Sequence, residues 1–338
     1  MAVKVLFIGD PHIKVSNLVE IELLIQGLEK ICSEQNPDLI VIAGDMLDDH
    51  EKIWTLALNK AYNMIDILRE FADLYILVGN HDYISNIQFL SENHWMNAIK
   101  KWDKVTIVDK VLHKTIKNEL FIFTPYVTNG RFIEALNTGT VNWRDASCIF
   151  AHQEFFGCKM GAITSVSGDT WDETYPFVIS GHIHSKQYVQ HNIYYPGSAL
   201  QIAFGESEKN VIPLITFENK TNNIEEIDLM LPRKKIVYVD FDKVDKIVID
   251  DNTKDSLKYT IKGEQEDFKI FKKSKKYKEI IKSGAKITFK SDKKKESKQQ
   301  EFIDSIDGND FKTILKELVM KENNKYLETL FNTLIVKD

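Results

Sequence analysis

The chain has 338 residues, 43% hydrophobic, 28% charged and 11% aromatic, a composition that excludes a disordered or fibrous polypeptide and allows a large core and two domains. Its net charge of −6 gives no global footprint for nucleic acid, and no apolar run reaches the ~18 residues of a membrane span. Three cysteines, Cys32, Cys148 and Cys158, odd in number and without zinc-type spacing, point to free thiols in a reducing intracellular compartment.

The apolar run at residues 3–8 ends at Asp10 and reads as a first strand, too short for a secretory leader. Asn17 and Glu20 then form a helix N-terminal pair for an amphipathic stretch to Glu34, which Pro37 ends. A buried strand is predicted over 38–43, and a helix over 54–71 carries Leu56, Ala57, Ala61, Met64, Ile65 and Leu68 on one side. A strand over 74–78, a helix over 87–100 and short strands over 105–108, 120–124, 147–151 and 177–180 follow. This alternation is the pattern of an α/β layered domain. From Gln187 to Leu229 short strands dominate, with Pro196-Gly197-Ser198 as a turn.

Leu231-Pro232-Arg233 marks the end of a first domain over 1–231. Residues 254–298 hold sixteen lysines against seven acidic residues, a local charge of +9 that leaves −15 for the rest of the chain. The same region reads strand (257–261), helix (264–282), strand (285–289), a small α+β unit over 232–298 able to cap a larger domain. Its candidate substrate-binding residues are Lys272, Lys273, Lys275, Lys276 and Lys278, with a further patch at Lys293–Lys295. A solvated helix face accounts for the same lysines without a ligand. Residues 299–338 carry two amphipathic helical pieces around Glu322-Asn323-Asn324, whose apolar face either packs on its own chain or seeks a partner.

Chemistry collects at the strand ends. In order they read Asp10-Pro11-His12, Gly44-Asp45-Met46-Leu47-Asp48, Gly79-Asn80-His81-Asp82, Ala151-His152 and Gly181-His182-Ile183-His184, each after an apolar run. In a layered sheet such loops converge on one edge. So many ionisable groups crowd together only if opposite charge neutralises them, and metal cations supply it. Asp, Asn and His without Cys suit Mn²⁺ best, with Fe²⁺, Zn²⁺ or Mg²⁺ as further candidates. The donor count calls for two divalent ions, about 3.5–4 Å apart, sharing one carboxylate. His50, His94, His113, His191 and Asp49 lack this context and read as structural.

With these residues in place, the sequence resembles the calcineurin-like metallophosphoesterase superfamily, whose pattern D-x-H, G-D-x-x-D, G-N-H-D, H, G-H-x-H is present in order within residues 3–206. The resemblance implies a four-layer αββα sandwich with a small α+β capping domain and C-terminal helices. It implies that Asp10, His12 and His184 hold one ion, that Asn80, His152 and His182 hold the other, and that Asp45 bridges them. His81 would contact the phosphate and assist the leaving group, Asp82 would orient His81, and Gly79 would permit the turn.

Tyr195-Pro196-Gly197-Ser198 followed by Phe204-Gly205-Glu206 is similar to the Mre11/SbcD-type DNA repair nucleases. That likeness implies a Mn²⁺-dependent nuclease on DNA, a Rad50/SbcC-like ATPase docking on the C-terminal helices, and a homodimer through residues 54–71 and 87–100, in cytoplasm or nucleus. Residues 149–160 also resemble predicted phosphoesterases of large DNA viruses, for which the location would be the host cytoplasm. Asp48 stands where some archaeal members place a second histidine, which argues against a histidine-paired proton relay. Two other readings stay open: a phosphatase or phosphodiesterase on phosphoproteins or small phosphoesters, and a non-catalytic scaffold.

Overall fold

Strand β1 (Val3–Ile8) turns Val3, Val5 and Phe7 to one face and Leu6 and Ile8 to the other, and all five are buried. A strand apolar on both faces, with Lys4 its one polar residue, belongs inside a layered sheet, where both faces are covered. In the computed structural model, which describes residues 1–207, 209–250, 253–291, 311–322 and 324–334, this pattern recurs along the chain. The first half contains α1 (Leu18–Gln35), β2 (Leu39–Ile42), α2 (Thr55–Leu68), β3 (Asp73–Leu77), β4 (Val105–Val108), β5 (Leu112–Ile116), β6 (Glu119–Phe123), α3 (Phe132–Leu136) and β7 (Cys148–His152). Then come β8 (Lys159–Met160), β9 (Ile163–Thr164), β10 (Val178–Gly181), β11 (Gln187–Gln190), β12 (Ile193–Tyr195), β13 (Ile212–Glu218) and β14 (Thr221–Ile227). The C-terminal part contributes β15 (Lys234–Asp240), β16 (Ser256–Gly263), α4 (Gln265–Phe271), α5 (Lys275–Lys282), β17 (Lys286–Ser291), α6 (Phe311–Lys321) and α7 (Lys325–Leu334).

Two six-stranded sheets, β14-β13-β1-β2-β3-β4 and β11-β12-β10-β7-β6-β5, face each other. Val5, Phe7, Val41 and Leu77 of the first meet Phe121, Phe123, Phe150 and Tyr194 of the second in one core. The outer face of the first sheet buries Leu6, Ile8, Ile40 and Ile76 under α1 and α2. That of the second packs Ile122, Ile149 and Val178 against Phe132, Trp143 and Trp171. This is the four-layer αββα sandwich. Strands β1 to β4 run parallel, as do β6, β7 and β10, so their C-terminal ends share an edge. Strand β14 closes one side of the first sheet with Asn222, Asn223, Glu225 and Glu226 exposed.

By contact density the chain forms two units. The first comprises Met1–Tyr238, Ile247–Thr260 and Glu279–Thr288; the second comprises the described residues of Val239–Lys246, Ile261–Lys278 and Phe289–Asp338. Inside the second, Phe241, Phe268, Phe271 and Phe289 form an aromatic cluster with ring separations of 4.6 to 6.4 Å. The helix expected over 264–282 is two helices, because the Ser274 hydroxyl accepts the Tyr277 N–H (3.1 Å) and caps α5. Asn324 likewise accepts from Tyr326 N at 3.0 Å ahead of α7. Lys293–Lys295, Asn323 and the start of the 299–338 segment lie outside the described residues.

The helix expected over 87–100 is a 3₁₀ helix over Trp95–Lys101 alone. Before it, Ile87 is 80% exposed and Leu90 has a left-handed φ of 46°. Side chains there bond the backbone locally, Ser91 Oγ accepting from Asn93 N (3.1 Å) and the Asn97 amide donating to Glu92 O (2.7 Å), and such bonds compete with a helix. Beyond Trp95, Asp109 takes Lys100 Nζ at 2.5 Å and His94 Nε2 at 3.2 Å.

Asp109 therefore ties this turn to the end of β4. Burial opposes its charge, yet His94 and Lys100 prevail and hold the carboxyl down at about 2. Replacement Asp109→Asn is expected to cost about 1–3 kcal/mol at pH 7 in urea unfolding. The folded-state value lies below the ordinary 3.8, so the contribution is complete above about pH 4 and fades as pH falls toward about 2. A variant as stable as wild type at pH 7, or a difference that grows on acidification, would refute this.

Candidate metal centre

Five strands deliver the site. Asp10 follows β1, Asp45 follows β2, Asn80 and His81 follow β3, His152 ends β7, and His182 and His184 follow β10. Two glycines allow this convergence. A Cβ on Gly79 would stand 2.2 Å from Asp45 Oδ1, and one on Gly181 would stand 2.3 Å from Asp10 Oδ1. Gly79 is thus required by close approach; among the site's non-glycine residues, His12 (44°), Asp45 (47°) and His182 (78°) have φ in the left-handed region, which is uncommon for residues with a side chain.

The polar atoms face one another at short range. Asn80 Oδ1 lies 2.8 Å from His182 Nδ1 and 3.0 Å from His152 Nε2. Asp45 Oδ2 is 3.4 Å from His152 Nε2 and 3.5 Å from His12 Nε2, which is itself 3.0 Å from His184 Nε2. The hydrogen-bond network assigns the tautomers. His152 Nδ1–H donates to Ala43 O (2.8 Å) and His184 Nδ1–H to Glu206 Oε1 (3.0 Å). His152 Nε2 therefore faces the Asn80 and Asp45 oxygens and His184 Nε2 faces His12 Nε2, contacts that a shared proton or a cation between them relieves. Asp10 Oδ2 accepts from His182 N (2.8 Å), while Asp10 Oδ1 is buried without a hydrogen-bond partner among the described residues. This donor set fits divalent metal.

Asp45 belongs to two candidate metal-binding groups, one with His12 and His81 and one with His152 and His182, each with donor atoms within 4.8 Å of one another. Burial opposes ionisation of Asp45, but His152, followed by His12 and His81, outweighs it and holds its carboxyl well below the usual range. Burial, reinforced by the Asp45 charge, raises Asp82 to about 7. Burial and then His152 bring His182 down to about 4.

Asp82 does not take the place expected beside the His81 ring. Its carboxylate accepts from Gly79 N (3.0 Å), Met46 N (3.1 Å) and Trp95 Nε1 (2.9 Å), tying the loops after β2 and β3 together. The His81 ring is instead fixed by the Asp48 carbonyl, 2.5 Å from Nδ1, while the Asp48 carboxylate takes Lys14 Nζ at 3.0 Å. His50, which reads as structural in the sequence, stacks on His81 with centroids 4.6 Å apart and planes 15° from parallel, and its Nδ1 lies 3.2 Å from Tyr83 O. Glu206 is a further supporting residue, its other oxygen accepting from Ile202 N and Ala203 N at 2.8 Å. The signal for it was present in Phe204-Gly205-Glu206. Lys272, Lys273, Lys275, Lys276 and Lys278 belong to the second unit, Lys272 lying over Phe289 at 5.2 Å. The three cysteines are buried and free.

A cleft of about 380 Å³ opens on Asp45, Asn80, His81, His182 and His184. A second, of about 600 Å³, also reaches His81 and is lined by Asp49, Glu51 and Glu92.

Residues 3–186 match the calcineurin-like phosphoesterase family. The chain belongs to that family. Its members use divalent metals and hydrolyse phosphoester bonds, and this chain is a hydrolase of the same kind. It is 43% identical over 343 residues to protein 078R of Invertebrate iridescent virus 3, covering 99% of this chain and 97% of the relative. It is 49% identical over 280 residues to protein 244L of Invertebrate iridescent virus 6, covering 80% of this chain and 98% of the relative. Both relatives carry provisional phosphoesterase names. Among solved structures, TT1561 of Thermus thermophilus matches at 9% identity and a TM-score of 0.41 over 68% of this chain and all of that chain. No helix among the described residues is long and apolar enough to cross a membrane.

Glu206→Gln is expected to weaken divalent-ion binding about 10–100-fold, because a carboxylate behind a ligating imidazole orients the ring and raises its basicity. Calorimetric titration with Mn²⁺ reads this directly. Unchanged affinity would remove Glu206 from the site.

Proposed function

We propose that the chain hydrolyses phosphodiester bonds with two divalent ions, Mn²⁺ foremost, and that its substrate is DNA, as in the Mre11/SbcD-type nucleases. The observation that carries the two-ion chemistry is Asp45, shared by both candidate groups. Asp10, His12 and His184 would hold one ion and Asn80, His152 and His182 the other. Bound there, divalent cations would neutralise phosphate oxygens and make water nucleophilic near neutral pH. His81, with Nδ1–H donated to the Asp48 carbonyl, would in its imidazolium form hand the Nε2 proton to the departing oxygen and be left neutral, with Nδ1–H retained. His50 would keep that ring in place by stacking. Support for DNA comes from the lysine excess of residues 254–298, since nucleic-acid phosphates reward a local cluster of cations.

One observation favours a second reading. Asp49, Glu51 and Glu92 line the cleft beyond His81, and a polyanionic strand continuing past them would meet like charge. A small phosphodiester with an uncharged leaving group would not.

Single- and double-stranded DNA, bis(p-nitrophenyl) phosphate and p-nitrophenyl phosphate, each with Mn²⁺, separate these readings. DNA cleavage is the expected result; turnover of the small diester alone would support the second reading, and of the monoester alone would overturn both. His81→Ala is expected to keep both ions and lose about 10²–10⁴-fold in kcat. Wild-type turnover, or loss of an ion on metal analysis, would refute the proton-donor role. Reversing the five lysines 272, 273, 275, 276 and 278 to Glu is expected to weaken DNA cleavage and flatten its salt dependence by about 0.9 for each phosphate no longer neutralised. An unchanged salt slope would remove them from the substrate path.

A further inference from the structure

The segment between His152 and β10 is more than a connection. Its base is closely bonded: Phe156 N donates to Asp169 O, Gly157 N to Ser165 O and Asp169 N to Glu154 O, each at 2.9 Å, and Ser165 N to Cys158 O at 2.8 Å. Under it, buried Glu154 receives Ser165 Oγ–H and Asn129 Nδ2 (3.0 Å), and buried Asp169 receives Gln153 Nε2 (2.8 Å). From this base rises the hairpin of β8 and β9. The Gln187 side chain holds its backbone at Lys159, accepting from N at 2.8 Å and donating to O at 2.9 Å.

What the hairpin presents contrasts with how it is anchored. Phe156, Met160, Ile163 and Val166 are 53%, 39%, 66% and 82% exposed. Lys159, Met160 and Gly161 line the same cleft of about 380 Å³ as Asp45, Asn80, His81, His182, His184 and Glu206. Apart from its own chain neighbours, no atom of the described residues lies within 4 Å of where a Cβ on Gly161 would stand, so the tip leaves open space. The cleft therefore joins three chemistries in one small volume: groups that hold a phosphate, an apolar wall, and a lysine. That volume sits at the low end of small-molecule sites, about 300–1,000 Å³.

We propose that this hairpin is the substrate-selecting wall of the site, and that the cleft takes one nucleoside-sized substituent of the scissile phosphate. The base lies against Met160 on the hairpin, and Lys159 pairs with a neighbouring anionic group. An amphipathic anion is the occupant whose charge and apolar surface match such a lining; a bare phosphate would leave Met160 unused, and a simple alkyl ester would leave Lys159 unpaired. The inference rests on the phosphodiesterase reading above and adds the substrate unit to it.

The test compares two diesters that release the same chromophore with Mn²⁺: thymidine 5′-(p-nitrophenyl phosphate) and methyl p-nitrophenyl phosphate. Wild type is expected to prefer the nucleotidyl ester by roughly tenfold or more in kcat/KM, mainly through KM, the scale of burying one apolar side chain against a ligand. Met160→Ala is expected to lower that preference about tenfold, and Met160→Leu to restore it, since the swap keeps apolar volume. Lys159→Ala is expected to raise KM for 5′-phosphorylated dinucleotides more than for the thymidine ester. Equal rates for the two diesters in wild type, or a ratio unmoved by Met160→Ala, would overturn the selecting wall while leaving phosphodiesterase activity intact. Turnover of neither diester would overturn the phosphodiesterase reading, and this inference with it.

Discussion

Two buried carboxylates, Asp10 and Asp45, and the imidazoles crowded around them set the terms for the rest of the fold. Burying such groups is unfavourable unless charge and hydrogen bonds compensate, so every element near them serves that compensation. Asp45 takes the backbone N–H of His81, Asp10 that of His182, and His152 reaches from the second sheet to the Ala43 carbonyl of the first. The donors that shape the site are therefore also the bonds that pin the two sheets together at one end. The glycines follow from the same crowding, since Gly79 and Gly181 stand where a side chain would collide with a carboxylate oxygen.

Much of this was legible in the sequence, because buried parallel strands announce themselves as unbroken apolar runs and the motifs begin where the runs stop. Residues 3–8, 38–43, 74–78 and 147–151 correspond closely to β1, β2, β3 and β7. What was not legible lacks a periodic signal. Strands β8 and β9 have two residues each, too short for any alternation to show. Ile87 to Leu90 is apolar enough to suggest a helix, but its Ser and Asn neighbours bond the backbone locally. Asp82 follows His81 in sequence, and adjacency suggests a pair; the chain turns its carboxylate back to Gly79 and Met46 instead. His50 and Asp48 reach His81 through a stack and a carbonyl, contacts that no spacing rule encodes.

The surroundings of His81 divide the electrostatics of the first unit. On one side lie the candidate metal-binding groups, Lys159 and the hairpin; on the other, Asp49, Glu51 and Glu92 line the larger cleft. Negative charge would meet attraction on the first side and repulsion on the second. This asymmetry bears on which half of a substrate carries the charge, independently of the lysines in the second unit.

Strand β14 has a consequence of a different kind. As the border of the first sheet it has, among the described residues, no neighbouring strand for one row of backbone groups, the usual template for edge-to-edge polymerisation. Asn222, Asn223, Glu225 and Glu226 are exposed along it, and Glu226 is already engaged by Lys186 and the Tyr194 hydroxyl. Polar and charged side chains thus line this border, the composition that discourages edge-to-edge pairing.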